Sequence, residues 1–376
     1  MKIGILTHEL GINYGGLLQN YALQQVLMLM GHDPITLNHK KSNPYTVPIK
    51  IGSLIKQILR KARGVKENLR VWTSSEEKAY IAQNITPFVD EKIVHTEPFL
   101  LSEIESHIPQ DLDAIIVGSD QVWNPSYMKS IEHFFLSDFV NSDIIKIAYA
   151  ASFGGNEWLC NERVTLNLEC LAQKFNLITV REDSGVMLCK ENLKIDATHV
   201  LDPTMLLTAE HYSSLSPRNR KHNDKSLMTY ILDNSIPKRQ IITRVADKLG
   251  LEVNSVMPKS TFRKEGPKGL DKCVFPSVET WIQGFEDAEF VVTDSFHGTV
   301  FAIIFNKPFI TIINRQRGAD RFFSLLRQFG LEDRLIDIND NYLDLIDKDI
   351  DYKRINSLLN IKREESLSLL KKGLSR

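Results

Sequence analysis

MKIGILTHELGINYGGLLQNYALQQVLMLMGHDPITL, residues 1–37, reads as strand, loop, helix and strand. Lys2–Thr7 is rich in Ile and Leu and alternates little, the pattern of a parallel strand buried on both faces. Gly11, Gly15 and Gly16 follow in a loop with Asn13 and Tyr14. Over Leu17–Met30 apolar residues recur at helical spacing (Leu18, Tyr21, Ala22, Val26, Leu29), and Gly31 ends the run as a C-terminal cap. Asp33–Leu37 is a second short strand. In such a βαβ opening, ligands sit at the carboxyl end of the strands, here beside the glycine-bearing loop.

The pattern of an apolar strand stopping at a polar segment recurs. Ala114–Val117 runs into Gly118-Ser119-Asp120-Gln121-Val122-Trp123-Asn124-Pro125, and Ile145–Ala151 into Ser152-Phe153-Gly154-Gly155. Leu177–Val180 runs into Arg181-Glu182-Asp183, and Val200-Leu201 into Asp202-Pro203-Thr204. These strand ends are expected to converge on one edge of a parallel sheet. Residues 213–226 are polar and charged, as a connection would be. Beyond them strands and helices alternate again: Leu227–Leu232, helix Arg239–Leu249, Leu251–Val256, helix Ser277–Ala288, then Phe290–Thr293. Asp294-Ser295-Phe296-His297-Gly298-Thr299 then opens the apolar helix Val300–Phe305, before a strand at Pro308–Ile313 and a helix at Arg321–Phe329. The predicted fold is α/β, with two Rossmann-like domains facing a central cleft. The first covers 1–212 on the acceptor side and the second 213–340 on the donor side. Helices in 341–376 are expected to fold back on the first domain.

Composition narrows the function. With 376 residues, 43% hydrophobic and 25% charged, the chain has material for about two cores. The 46 basic and 47 acidic residues give a net charge of -1, so no nucleic-acid partner is expected. Cys160, Cys170, Cys189 and Cys273 form no CxxC pair or zinc spacing and read as buried reduced thiols. The opening apolar run is too short for a secretory leader. The longest apolar stretch, 291–306, is interrupted by Asp294 and His297, so a cytoplasmic location is expected. Residues 40–70 are basic, and Gly52–Val65 has the spacing of an amphipathic helix. That helix is either a solvated surface element or a peripheral contact with the inner membrane surface or a lipid-linked substrate. No oligomeric state follows from these features.

Three side chains at predicted strand ends carry the chemistry. His297, at the mouth of an apolar helix, suits a general acid or an anion contact, and the helix N-terminus favours phosphate. Its plain alternative is a packed residue in a capping segment, with Thr293, Asp294 or Ser295 as cap. Arg181 suits a bidentate grip on carboxylate or phosphate, or a salt bridge with Glu182 or Asp183. Asp120 suits a general base for a sugar hydroxyl, or an Asx turn. Trp123 is placed to stack on a sugar or to join the core. Asn13, Tyr14, Gly15 and Gly16 form a candidate sugar or phosphate loop without a GxGxxG or Walker pattern. Arg315, Arg317 and Arg321 are candidate phosphate contacts or a solvated turn. No spacing suggests a metal site.

Taken together, NYGGLLQNYALQ (13–24), IIVGSDQVWNP (115–125), AYAASFG (148–154), VRED (180–183), LDPT (201–204) and VTDSFHGTVFAIIFNKPF (292–309) resemble the polysaccharide pyruvyl transferase family. The resemblance spans most of the chain in the expected order. It implies a GT-B-like pair of Rossmann-like domains and a transferase that moves pyruvate from phosphoenolpyruvate, as co-substrate, to sugar hydroxyls as a ketal. The setting it implies is exopolysaccharide or capsule biosynthesis, with a sugar or lipid-linked oligosaccharide acceptor and no further cofactor. Asp120, Arg181 and His297 fall where the family has its cleft residues. Ser295, Gly298 and Thr299 at the helix start join Arg181 as expected donor contacts; Asn13, Tyr14, Gly15, Gly16 and Trp123 are the expected acceptor contacts. Many members carry Arg-Leu before this histidine, where this chain has Ser295-Phe296, so either Arg315, Arg317 or Arg321 supplies the missing cation or the donor is held differently. Two alternatives stand beside this reading: a nucleotide-sugar-dependent GT-B glycosyltransferase, and a non-catalytic glycan-binding or assembly protein.

Overall fold

Two parallel sheets organise the chain. The computed structural model describes residues 1–40, 47–64, 68–137, 140, 143–216, 226–315 and 318–375. The first sheet contains β1 (Lys2–Leu6), β2 (Asp33–Thr36), β3 (Ala114–Val117), β4 (Ile145–Ala151), β5 (Leu177–Val180) and β6 (Thr198–His199), in the order β2-β1-β3-β4-β5-β6. The second contains β7 (Ser226–Tyr230), β8 (Glu252–Ser255), β9 (Ala288–Thr293), β10 (Phe309–Ile312) and β11 (Leu335–Ile336), in the order β8-β7-β9-β10-β11. Every pairing is parallel. Ile3 lies opposite Ala114 and Ile116 opposite Ile147, so the central strands of the first sheet are apolar on both faces.

Each sheet reverses direction once. The chain passes from β1 to β2 on one side and returns to β3 on the other; from β7 it does the same with β8 and β9. Crevices at such switch points, at the carboxyl ends of the strands, are where open α/β sheets bind ligands. Asn13 and Asp120 follow β1 and β3, while Leu232 and His297 follow β7 and β9, so both crevices open into one cleft. This is the arrangement of two facing Rossmann-like domains known as GT-B.

Helix α1 (Tyr14–Leu29) starts three residues before the sequence reading, so Tyr14, Gly15 and Gly16 lie in its first turn rather than in a loop. Tertiary contact overrides the weak helix propensity of the two glycines. The Tyr14 ring stacks on Trp281 of the second domain with centroids 5.6 Å apart, and its hydroxyl donates to the Pro276 carbonyl at 2.7 Å. Helix α2 (Val47–Ala62) occupies the basic segment, with Lys41, Val65 and Lys66 outside the described residues. Of the polar connection at 213–226, residues 217–225 also lie outside them.

Helix α3 (Phe296–Ile304) follows β9 and is buried throughout; α4 (Asp320–Arg327) closes the second domain. Helix α5 (Tyr352–Leu374) returns to the first domain. There Ser366 Oγ accepts from Leu201 N at 3.2 Å and Arg363 Nε donates to the Met205 carbonyl at 2.9 Å. One hydrophobic core runs from β1 and α1 through Trp281 and α3 to α5, and so through both domains. The cysteines are unpaired; Cys189 and Cys273 are buried, whereas Cys170 is exposed, contrary to the expectation of buried thiols.

Candidate active site

The floor of the cleft is built from three strand ends of the first sheet. After β3, Gly118 turns the chain at φ +113°, where a Cβ would drive into the Tyr149 carbonyl, so no other residue type fits. The turn delivers Ser119 and Asp120. Ser119 N donates to Gln19 Oε1 of α1 at 3.1 Å and its hydroxyl donates to Asp202 Oδ2 at 3.2 Å. Arg181 leaves β5 and Asp202 follows β6; Asp202 Oδ1 accepts from Thr204 N at 3.0 Å and from Thr204 Oγ1 at 2.7 Å. Arg181 then divides its guanidinium between two carboxylates, donating from Nη1 to Asp202 Oδ2 at 2.8 Å and from Nη2 to Asp120 Oδ1 at 3.2 Å.

The second domain closes this array from above. His297, in the first turn of α3, brings Nε2 to 3.7 Å from Asp202 Oδ2, an ion pair when the imidazole is protonated. Gly15 makes that approach possible, since its Cβ would occupy the space of the His297 ring. Arg321 of α4 places Nη1 4.0 Å from Asp120 Oδ1. The faces of both guanidinium groups meet Phe296: Arg181 at 4.4 Å and Arg321 at 5.5 Å from its centroid. Asp120, His297, Phe296 and Arg321 all border the open cleft.

Charge decides the protonation of this cluster. Burial alone would raise the Asp120 carboxyl, but the positive charges of His8, Arg181, His297 and Arg321 outweigh it and hold the group well below its ordinary value. Burial would likewise raise Asp202, which His297 and Arg181 hold well below the carboxylate range. Burial and then the Arg181 charge push Arg321 down to about 10, so it stays cationic at neutral pH. Glu182, behind the two arginines, is raised by burial; its Oε1 accepts from Phe153 N at 2.7 Å and Gly154 N at 3.2 Å.

Of the other residues singled out in the sequence, Asn13, Asp294 and Ser295 border the cleft and several sit elsewhere. Trp123 belongs to the core, not to an acceptor surface: it is fully buried, stacks on Phe135 and donates Nε1–H to the Phe134 carbonyl at 2.9 Å. Tyr14 is engaged by Trp281 and Pro276, and Gly16 lies inside the helix; Asn13 alone of that group borders the cleft. Ser295 borders the cleft and also caps α3, its hydroxyl accepting from Gly298 N at 3.4 Å. Thr299 donates to the Ser295 carbonyl and shares a 2.8 Å hydroxyl contact with Thr311. Asp294 ties its own domain together: it pairs with Lys238 Nζ at 2.5 Å and accepts from the backbone N–H groups of Leu232 and Asp233. Arg315 pairs with Asp337 at the exposed surface, 3.0 Å away; Arg317 lies outside the described residues. Asp202 and Phe296 were not singled out as site residues. Asp202 carried a usable signal, an acidic residue directly after a strand within LDPT. Among the described residues no group of three or more His, Cys, Asp or Glu side chains is placed to hold a metal ion.

Comparison with known proteins supplies the family. Solved structures of similar course include an alpha-glucosyltransferase in complex with UDP (10% identity, TM-score 0.43, covering 98% of this chain and 95% of that one). UDP-GlcNAc 2-epimerase from Neisseria meningitidis bound to UDP-GlcNAc is another (10%, TM-score 0.44, 100% and 99%). S. aureus MnaA with UDP is a third (14%, TM-score 0.46, 92% and 86%). No curated protein matches the sequence. The family described as polysaccharide pyruvyl transferase matches residues 13–316, which takes in both strand-end arrays of the cleft. The chain belongs to the polysaccharide pyruvyl transferase family.

Proposed function

We propose that this chain transfers the pyruvyl group of phosphoenolpyruvate to two hydroxyls of a sugar as a ketal, releasing phosphate, in the cytoplasmic stage of exopolysaccharide or capsule synthesis. The observation that carries the reading is the convergence of Asp120, His297 and Arg321 on one cleft in a chain of this family. Arg321 and the N-terminus of α3 supply positive charge for a carboxylate and a phosphate. Both Nη groups of Arg181 are engaged by carboxylates, and in this scheme it positions Asp120, Asp202 and Phe296 while Arg321 meets the donor. That assigns the cation missing before His297 to α4.

The steps balance without another reagent. A proton passes from the His297 imidazolium to the methylene carbon of phosphoenolpyruvate, leaving an oxocarbenium-like centre at the neighbouring carbon. A sugar hydroxyl adds there, and Asp120 takes its proton. A carboxylate of such low basicity is adequate, because the hydroxyl becomes strongly acidic only as the new bond forms. Phosphate then leaves with the bonding pair, a second hydroxyl closes the ketal with its proton going to phosphate, and the proton held by Asp120 returns through solvent to His297, which restores both groups. Asp202 Oδ2, 3.7 Å from His297 Nε2, orients the imidazole. Fixed cations facing the departing phosphate are the main electrostatic contribution.

Thermal unfolding with phosphoenolpyruvate, pyruvate, phosphate and a panel of nucleotide sugars tests the reading. A ligand at one hundred times its Kd adds about 2.7 kcal/mol of apparent stability. The expected result is stabilisation by phosphoenolpyruvate that disappears in Arg321→Gln. Stabilisation by one nucleotide sugar and none by phosphoenolpyruvate would replace it with the glycosyltransferase reading. Glycan binding with every activity unchanged in His297→Gln would replace it with a non-catalytic role.

A further inference from the structure

Helix α2 turns its apolar stripe the wrong way for a packed helix. Ile55, Ile58 and Leu59 share one face at i, i+3 and i+4 spacing, and each is more than half exposed. The helix rests on the protein by its opposite side, where Gln57 is buried at 4% exposure. Lys56 and Lys61, both exposed, stand on the two flanks of the stripe. From Pro34 to Lys66 the sequence contains eight lysines and arginines and no acidic residue, in a chain whose net charge is only -1.

The two ends of this excursion are anchored in different domains. At its start His39 Nε2 sits 2.6 Å from the Thr7 carbonyl, and the Thr7 hydroxyl donates to the Ser119 carbonyl at 3.0 Å, one residue from Asp120. At its end Asn68 N donates to the Arg263 carbonyl at 2.9 Å, and Asn68 Nδ2 to the Glu265 carbonyl at 3.3 Å, both in the second domain. The segment that carries α2 therefore leaves from a contact with the first domain and ends at a contact with the second.

We infer that α2 docks the protein on an anionic bilayer surface, lying in the interfacial plane with Ile55, Ile58 and Leu59 among the acyl chains and the flanking lysines against phosphate headgroups. An apolar face bordered on both sides by cations, with no acid between, is complementary to such a surface. A second copy of the chain is a poor occupant, because a two-fold contact would place the same cationic flanks against each other. Docked this way, the helix keeps the chain at the membrane surface, where a lipid-linked acceptor would be presented. The inference does not rest on the chemistry of the cleft, and no activity enters its test.

The test is sedimentation of the full chain with vesicles of equal parts phosphatidylglycerol and phosphatidylcholine, and with phosphatidylcholine alone. The parent protein is expected to pellet with the anionic vesicles and to be released by added salt. The triple variant Ile55→Ser, Ile58→Ser, Leu59→Ser is expected to stay in the supernatant. In the double variant Lys56→Glu, Lys61→Glu, partitioning is expected to fall at least about fivefold for each cation removed. Melting temperatures equal to the parent's establish that both variants are folded, since all five side chains are at least partly exposed. The inference is overturned if the parent ignores anionic vesicles, if it binds neutral vesicles equally, or if both variants still pellet. A dimer mass by light scattering that the triple variant converts to a monomer would instead assign the stripe to a second copy.

Discussion

Gly15 and Asp202 are the residues on which the site geometry turns. The His297 ring occupies the space a side chain at Gly15 would need. Gly15→Ala is expected to displace the ring, costing about 1–3 kcal/mol by overpacking and removing turnover together with it. Urea denaturation and an activity assay on the same preparation read both. Asp202→Asn keeps the side chain's shape and its acceptor toward Thr204 but leaves the buried Arg181 with Asp120 alone. A loss of about 3–5 kcal/mol is expected, and an unchanged urea midpoint would mean that Asp120 compensates Arg181 unaided. The pH dependence follows from direction alone. Asp120 and Asp202 have folded values below their unfolded value of about 3.9, so their contribution is complete above that pH. It is lost as pH falls through the lower folded values. Their share of stability is therefore constant from neutrality to about pH 4 and declines only below it, and Asp202→Asn flattens that acid decline. Glu182 has the opposite sign: its raised folded value stabilises the protonated form and loses that contribution as pH rises.

At the scale of elements, α3 shows how local signals and tertiary demand combine. Its start is set by Ser295, an extended N-cap residue whose side chain satisfies the Gly298 N–H. Ser295→Ala is expected to cost about 1 kcal/mol while leaving the phosphoenolpyruvate-dependent rise in melting temperature intact. Loss of that rise in a variant of near-parent stability would make Ser295 a donor contact instead. Asp294, next to it, is a tie rather than a cap. It collects Lys238, two backbone N–H groups after β7, and Asn314 Nδ2 at 3.3 Å. The stretch Thr293-Asp294-Ser295 is open to three capping assignments in the sequence, because Thr, Asp and Ser are all good caps; only the packing of β7 and β10 against β9 chooses among them. Helix α1 teaches the reverse case. Its two glycines weaken a helix locally, yet Tyr14 gains enough from Trp281 and Pro276 to extend it through them.

At the scale of the molecule, the domains are joined by more than the connection between them. Asp183 N donates to Ser324 Oγ at 2.9 Å, Arg327 pairs with Asp183 at 2.7 Å, and the hydrophobic core crosses from one sheet to the other. A single calorimetric transition with equal calorimetric and van't Hoff enthalpies is expected; two separable transitions would show that the shared core is too weak to couple the domains. Removing α5 by ending the chain at Asp351 would uncover the first domain around Leu201 and Met205 and take the buried Leu370 and Leu374 out of the core. The shortened chain is expected to bind a hydrophobic dye and lose its cooperative transition.

Strand identity, parallel pairing and the recurrence of polar residues at strand ends were determined by the sequence itself. A strand buried on both faces has to be apolar throughout, and its end has to turn polar where it meets solvent or ligand. The family is legible for the same reason, since its motifs are those strand ends. The roles within the array were decided only by tertiary structure. Which carboxylates take up Arg181, which arginine remains at the open cleft, and whether Trp123 faces a sugar or Phe135 depend on distances between segments far apart in the chain. Hydrogen bonding, charge compensation and close approach act across those distances, and nothing local in the sequence records them.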